Sequence, residues 1–365
     1  MTIIVHKPGL LTTVQDMGRY RYQRYGVVVA GAMDPFAYAC ANILTGNEPS
    51  AAALEITMVG PKLWFAQDAL VAICGADMSP AIQGERVPLW RPVLVRAKSL
   101  LEFASAREGA RAYLAINGGL IVEQRMGSSS TYLRAGIGGY AGRALIEGDE
   151  LVWGRSTAAG AAIRRSLLQE VEDSPHGGGA ADRPFIAARW SISSRALPHY
   201  SKHPQVRFLP GPHYGMFRED SLGDLRQGSY VVGPQSDRMG YRLEGKRLML
   251  RERRELYSEP VTAGTVQVPP DGMPIVLMAD RQTTGGYPVI AQVISVDLPL
   301  LAQTPPGGRL SFRQVDIREA QRLLLAERRD LAAIRAGVRM RVQSAPWTLR
   351  RDGWGQTRRR ANGVR

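Results

Sequence analysis

The chain has 365 residues, 44% apolar and 22% charged, with 39 Gly and 23 Pro. That length favours two compact units, and the glycines and prolines point to many turns and short strands in an ordinary soluble, β-rich protein. The N-terminal apolar run is short for a signal peptide and no stretch approaches the ~20 apolar residues of a membrane span, so a cytoplasmic protein is expected. Two cysteines, Cys40 and Cys74, exclude a disulfide framework or a four-cysteine zinc site and read as buried free thiols.

The net charge of +14 raises nucleic acid as a partner, but its distribution argues otherwise. From Leu331 onward nine arginines stand against Asp352 alone, which is +8 of the +14 and leaves +6 on the preceding 330 residues. Nucleic acid is therefore not expected beyond nonspecific contacts of this basic tail.

In chain order, short strands are predicted at Ile3 to Val5, Leu70 to Cys74, Tyr113 to Ile116 and Leu151 to Trp153. A helix begins at Pro35: Asp34 is a good N-cap, Pro35 suits the first helical position, and Phe36, Cys40, Ile43 and Leu44 share a face before Gly46 and Asn47. Residues 1–155 thus read as a β-rich domain, a barrel or sandwich with few helices. Ala, Gly, Ser, Arg and Pro dominate 156–202, as in a linker or long surface loop. A second β-rich unit spans 203–337, with strands at Val206 to Leu209, Tyr230 to Val232, Leu248 to Leu250, Thr265 to Val268 and Leu310 to Phe312. Asp316 to Glu319 has capping-box spacing and opens a terminal helix through Ile334, closed by Gly337 and expected to pack on this second unit. A basic tail fills 338–365.

Several polar clusters fall at strand ends. Gly31-Ala32-Met33-Asp34 precedes a helix, where backbone N–H groups bind an anion unless Asp34 itself caps them. Gly127-Ser128-Ser129-Ser130-Thr131 and the glycine-rich Gly136 to Arg143 compose a hydroxyl-and-amide nest suited to an oxyanion. Gly136, Gly138 and Ala141 have dinucleotide-fingerprint spacing without the strand and helix it requires, and no Gly-x-Ser-x-Gly elbow occurs. His199 and His203 are bracketed by Pro198 and Pro204, which leaves too little helix for a zinc pair, so no metal is expected. Arg238 and Arg242 are spaced for a carboxylate or phosphate clamp, or for pairing with Asp237 or Glu244. The richest stretch is Asp280-Arg281-Gln282-Thr283-Thr284-Gly285-Gly286-Tyr287-Pro288, set between the apolar runs 275–278 and 289–294 as in a hairpin, though longer than a hairpin turn requires.

Gly31-Ala32-Met33-Asp34, Gly127-Ser128-x-Ser130-Thr131, Ser236-Asp237-Arg238-Met239-Gly240 and the stretch Asp280 to Pro288, with Thr12-Thr13-Val14-Gln15-Asp16-x-Gly18-Arg19, Ala41-Asn42-x-x-x-Gly46-Asn47, Leu54-Glu55-x-Thr57, Gly118-Gly119 and Gly211-Pro212, resemble the KipA-like family. That family includes the C subunit of 5-oxoprolinase and the carboxyltransferase domain, subdomains A and B, of urea carboxylase. The resemblance covers roughly residues 3 to 320. It implies a mainly β, two-domain protein of cyclophilin-like β-barrel architecture with few helices. It also implies a place in an ATP-dependent 5-oxoprolinase that opens 5-oxoproline to glutamate with KipI-like and LamB/YcsF-like partner subunits. The alternatives are a biotin-dependent carboxyltransferase subunit for urea or a similar amide, and a non-catalytic binder of a KipI-like kinase inhibitor. No biotin-carrier Met-Lys-Met occurs, so one member of a complex is expected rather than a self-sufficient urea carboxylase. Both reactions build negative charge on an oxygen of an amide-like carbon, which calls for pre-aimed donors. The expected catalytic residues are Asp280, Arg281, Thr283, Thr284 and Tyr287. Arg238, Asp237, Ser128, Ser130, Thr131 and Asp34 are expected to bind the small amide or lactam substrate across a cleft between domains.

Overall fold

The computed structural model describes residues 1–172, 183–252 and 254–343. The first half forms two six-stranded sheets, the strands of one alternating in burial and those of the other buried along most of their length. One is built on Thr2–Lys7, Lys62–Phe65, Ser99–Glu102 and Glu150–Val152, the other on Leu11–Gln15, Ala53–Thr57, Glu108–Ile116, Ala69–Asp77 and Pro92–Val95. Ile3, Val5, Leu54, Ile56, Phe65, Val71, Ile73, Leu114 and Ile116 fill the space between them. The second half is a closed seven-stranded barrel, its interior packed by Phe208, Tyr230, Phe312, Val266 and Ile290. The chain is mainly β, as its composition and motifs indicate.

Five helices accompany the sheets among the described residues: α1 (Pro35–Leu44), α2 (Ala158–Glu172), α3 (Glu219–Gln227), α4 (Leu298–Ala302) and α5 (Ile317–Gln343). Asp34 caps α1 as predicted, its Oδ1 accepting from the Ala37 amide at 2.9 Å. Nine of the ten α1 residues are buried, so the helix is a core element and not a surface one. It lies on the outer face of the second sheet, where Tyr38 and Tyr113 meet edge to face with ring centroids 6.2 Å apart.

Four expectations change. Residues 156–202 contain α2 and the strand Phe185–Ala187, which extends the second sheet of the first half by pairing with Pro92–Val95. The stretch Leu248 to Leu250 forms no ladder and carries only an isolated bridge between Leu250 and Phe217. The runs flanking Asp280 are not a hairpin: Ile275–Leu277 and Val289–Val293 both pair with Thr265–Gln267, which lies between them, so the insert crosses the end of that strand. Lastly, α5 runs through Gly337 to Gln343 and bridges the halves. Its first turns pack near Ile294 and Val315 beside the barrel, whereas Leu331, Ile334 and Val338 join the apolar cluster under α1 and α2. The Glu319 amide donates to Asp316 Oδ1 at 2.7 Å, but the Glu319 side chain pairs with Arg313 in place of closing a capping box. Residues 173–182 of the expected linker and the tail arginines beyond 343 lie outside the described residues.

Candidate functional site at the seam between the halves

The two halves are joined by buried polar groups, and three of the predicted site residues, Arg238, Asp280 and Asp34, belong to that joint. Arg238 sits just before the strand Gly240–Glu244 and is 5% exposed. Its Nε and Nη2 donate to the two oxygens of Asp280 at 3.0 and 2.9 Å, Nη2 also reaches the Gly31 carbonyl at 2.7 Å, and Nη1 donates to Glu55 Oε1. Burial opposes the charge on Arg238, but Asp280 and Glu55 outweigh it and push the guanidinium pKa up. Asp280, buried itself, has its pKa raised by burial against the opposing pull of Arg238. Arg238 therefore holds Asp280 and Glu55 together, a different task from the substrate-carboxylate contact expected of it.

The network continues inward. Glu55 Oε2 accepts from the Met33 amide at 2.8 Å and from Tyr113 Oη at 2.7 Å, and Tyr113 Oη in turn accepts from the Asp34 amide at 2.7 Å. Asp34 Oδ2 receives Gln303 Nε2 and Tyr200 Oη, both at 2.8 Å, so the Asp34 carboxylate is filled by protein donors and does not face a ligand. Burial raises its pKa despite those hydrogen bonds. Gln303, at the end of α4, also accepts from the amides of Ala110 and Arg111 at 2.9 and 3.0 Å, where the pairing register of Glu108–Ile116 breaks. Met33 inserts its side chain into the barrel core, an apolar burial worth about 1.5–3 kcal/mol.

The hydroxyls and amides of the serine turn, expected to form an oxyanion nest, are taken up by the chain's own Asp16. Asp16 Oδ1 accepts from Ser128 Oγ at 2.7 Å, Ser130 Oγ at 2.5 Å and the Gly18 amide at 2.7 Å, and Oδ2 accepts from the Ser129 amide at 2.5 Å. Thr131 Oγ1 donates to the Val14 carbonyl at 2.9 Å. Ser128, Ser130 and Thr131, expected at the substrate, thus fasten the turn 127–131 to the strand Leu11–Gln15. The glycine loop presses on the same turn: Gly138 has φ +70°, and a Cβ there would lie 2.1 Å from the Ser130 carbonyl oxygen.

The accessible part of the predicted site is the remainder of the 278–288 segment, which borders three concavities. A crevice of about 100 Å³ between the halves is lined by Asp16, Met17, Tyr20, Met33, Ala279 and Arg281, among others. Arg281 donates from Nη1 to the Met278 carbonyl at 3.2 Å, while its buried Nε has no partner among the described residues. Burial lowers the Arg281 pKa against the opposing effects of Tyr20 and Asp280, so this cation would be stabilised by an anion. A polar basin of about 360 Å³ takes in Asp237, Gln282 and Tyr287, with Asp237 Oδ1 capping the amides of Met239 and Gly240 at 2.8 and 3.2 Å. An apolar groove of about 570 Å³ lies on the far side of Tyr287. Thr283 and Thr284 border none of the three: the Thr283 carbonyl accepts from the Val261 amide at 3.0 Å, and Thr284 pairs with Pro260 in a small ribbon.

Asp16, Arg19 and Glu55 stand in the family motifs without a site role assigned from the sequence, and Tyr113, Gln303 and Arg134 are site-lining residues that the sequence does not single out. Glu55 had a legible signal, a carboxylate inside the apolar strand Ala53–Thr57, where an unpaired charge is costly. Gln303 had none, since its partners lie 192 and more residues away. Among the described residues no group of three or more His, Cys, Asp or Glu is placed to hold a metal, and no helix is long and apolar enough to cross a membrane.

Residues 25–314 match the family described as carboxyltransferase domain, subdomain A and B. The chain is 36% identical over 311 residues to the C subunit of 5-oxoprolinase from Haemophilus influenzae, spanning 85% of this chain and 90% of that protein. It is 36% identical over 314 residues to the corresponding 5-oxoprolinase protein of Escherichia coli, spanning 86% and 91%. The crystal structure of Kluyveromyces lactis urea carboxylase superposes with a TM-score of 0.79 at 26% identity, over 91% of this chain and 29% of that one. The chain is a member of the carboxyltransferase subdomain A and B family.

Proposed function

We infer that this chain is the C-type component of an ATP-dependent 5-oxoprolinase and acts with KipI-like and LamB/YcsF-like partners to open 5-oxoproline to glutamate. One observation carries the reading: its similarity to two 5-oxoprolinase C subunits runs over nearly the whole of both proteins, 90% and 91% of their lengths. The chemistry agrees with the seam. Opening a lactam places negative charge on the carbonyl oxygen, and a donor in a water-poor crevice stabilises that charge more than one in bulk water. The unpartnered Nε of Arg281 is the donor assigned to that oxygen. Arg238, Asp280 and Glu55 are positioning residues, because the Arg238 carbonyl accepts from the Asp280 amide at 2.7 Å and so fixes where the Arg281 segment starts. ATP is consumed by the complex. Two buried thiols without a disulfide support a cytoplasmic setting.

A second reading is favoured by the superposition on urea carboxylase: a biotin-dependent carboxyltransferase component that acts on a urea-like amide. Coexpression with both partner proteins, followed by assays for ATP-dependent glutamate release and for avidin sensitivity, separates the two. The oxoprolinase reading expects glutamate formation insensitive to avidin, and a drop in turnover of roughly 100-fold or more in Arg281→Ala, the scale of losing an oxyanion donor. Avidin-sensitive carboxylation without glutamate would establish the second reading. A stoichiometric complex that turns over neither substrate would make the chain a regulatory binder.

A further inference from the structure

The polar basin beside Tyr287 is built from both halves and is distinct from the Arg281 crevice. Arg134 reaches it from the short turn Leu133–Ala135 of the first half. Arg242 reaches it from the strand Gly240–Glu244, where it is the exposed residue between buried Tyr241 and Leu243. Neither guanidinium makes a hydrogen bond or ion pair within the described residues, in contrast to Arg86, Arg143, Arg207 and Arg313, each of which is paired with a carboxylate. Among the described residues the only acid on the basin wall is Asp237, which has one oxygen committed to two backbone amides. Gln235, Gln267 and Gln282 add neutral amide groups to the wall.

Two like charges brought to one pocket from separate parts of a fold repel each other unless an anion lies between them. Guanidinium forks grip phosphoryl and carboxylate oxygens two at a time, and glutamine amides complete such a cradle without adding charge. At about 360 Å³ the basin is in the range of small-molecule sites. Tyr287 is a shared wall with the groove formed by Leu248, Leu250, Val268, Pro269 and Pro288, which offers apolar space for the body of a ligand whose anionic end is held in the basin.

We propose that Arg134 and Arg242 form an interdomain site for a small molecule bearing phosphoryl or carboxylate groups, independent of which reaction the complex performs. Isothermal titration of the purified full-length chain with pyrophosphate, ADP and succinate at low ionic strength tests it. At least one probe is expected to bind with a Kd below ~1 mM, more weakly as salt is raised. Arg134→Ala and Arg242→Ala are each expected to weaken that probe by roughly tenfold or more, Arg242→Lys to fall between, and Arg309→Ala, on an exposed residue outside the basin, to bind as the parent does. Pyrophosphate and ADP both exceeding succinate identifies a phosphoryl ligand, succinate exceeding both a dicarboxylate, and ADP exceeding pyrophosphate a ligand body seated in the groove. Absence of binding by all three probes, or parental affinity in both alanine variants with an unchanged circular dichroism spectrum, overturns the site. Because the readout is binding to this chain alone, it stands or falls separately from glutamate formation by the complex.

Discussion

Replacing Arg238 by methionine distinguishes a joint from a substrate contact. The guanidinium makes four hydrogen bonds inside the protein, three of them to carboxylate oxygens of Asp280 and Glu55, and those two acids are 3% and 1% exposed. Methionine fills similar volume but leaves both carboxylates buried without their hydrogen-bonded counter-charge. Glu55 keeps the Met33 amide and Tyr113 hydroxyl, whereas Asp280 loses both side-chain contacts. Removing one partner of a buried ion pair typically costs about 3–5 kcal/mol, a large share of a total stability of about 5–15 kcal/mol. With a urea dependence of about 2–3 kcal/mol per molar, the unfolding midpoint moves down by roughly 1–2.5 M, read by far-UV circular dichroism. Replacing all three charges, as Glu55→Met, Arg238→Met and Asp280→Leu together, is expected to recover part of the loss because the two carboxylates are removed along with the guanidinium that balanced them. If Arg238→Met unfolds within about 0.5 kcal/mol of the parent yet abolishes turnover, the guanidinium faces substrate and the structural argument fails.

Gln303→Leu removes the acceptor for the Ala110 and Arg111 amides and a donor to Asp34, leaving buried groups unpaired at about 1–3 kcal/mol each; a urea midpoint unchanged from the parent would contradict this. The pH dependence of Asp34 has an unusual sign. Because burial raises its folded pKa above the ordinary 3.8, the native state holds the proton more tightly. Its contribution is most favourable below that ordinary value and is lost as pH rises through the folded pKa. The stability of Asp34→Asn relative to the parent is therefore expected to increase as pH climbs above 3.8, by at most about 1.4 kcal/mol per pH unit, in urea titrations at several pH values. A relative stability that falls over that range would show Asp34 to be stabilised as its anion.

The seam explains why so many polar residues lie in apolar surroundings without forming an open pocket. Each half supplies carboxylates and donors that neither half satisfies alone: Glu55 and Asp34 from the first half, Arg238 and Gln303 from the barrel side. Joining the halves pays for the burial of both sets. The Arg238 contacts to Asp280 anchor the start of the segment bearing Arg281, a residue on the wall of the crevice whose buried Nε has no partner among the described residues.

Local patterns were sufficient for much of the fold. The cap at Asp34 with Pro35 behind it, the apolar strands at 3–5 and 113–116, and the β-rich second unit depend on neighbours a few residues away, and the family resemblance depends on short motifs of the same kind. The chemistry of the site did not yield to that reading. A serine-rich turn reads as an empty nest until Asp16, 112 residues from Ser128, is seen to fill it, and Arg238 reads as a free clamp until Glu55, 183 residues away, is seen to hold it. Residue type and spacing state which polar groups are present. Only the folding of distant strands against one another decides which are consumed within the protein and which, like Arg281, Arg134 and Arg242, are left facing a cavity.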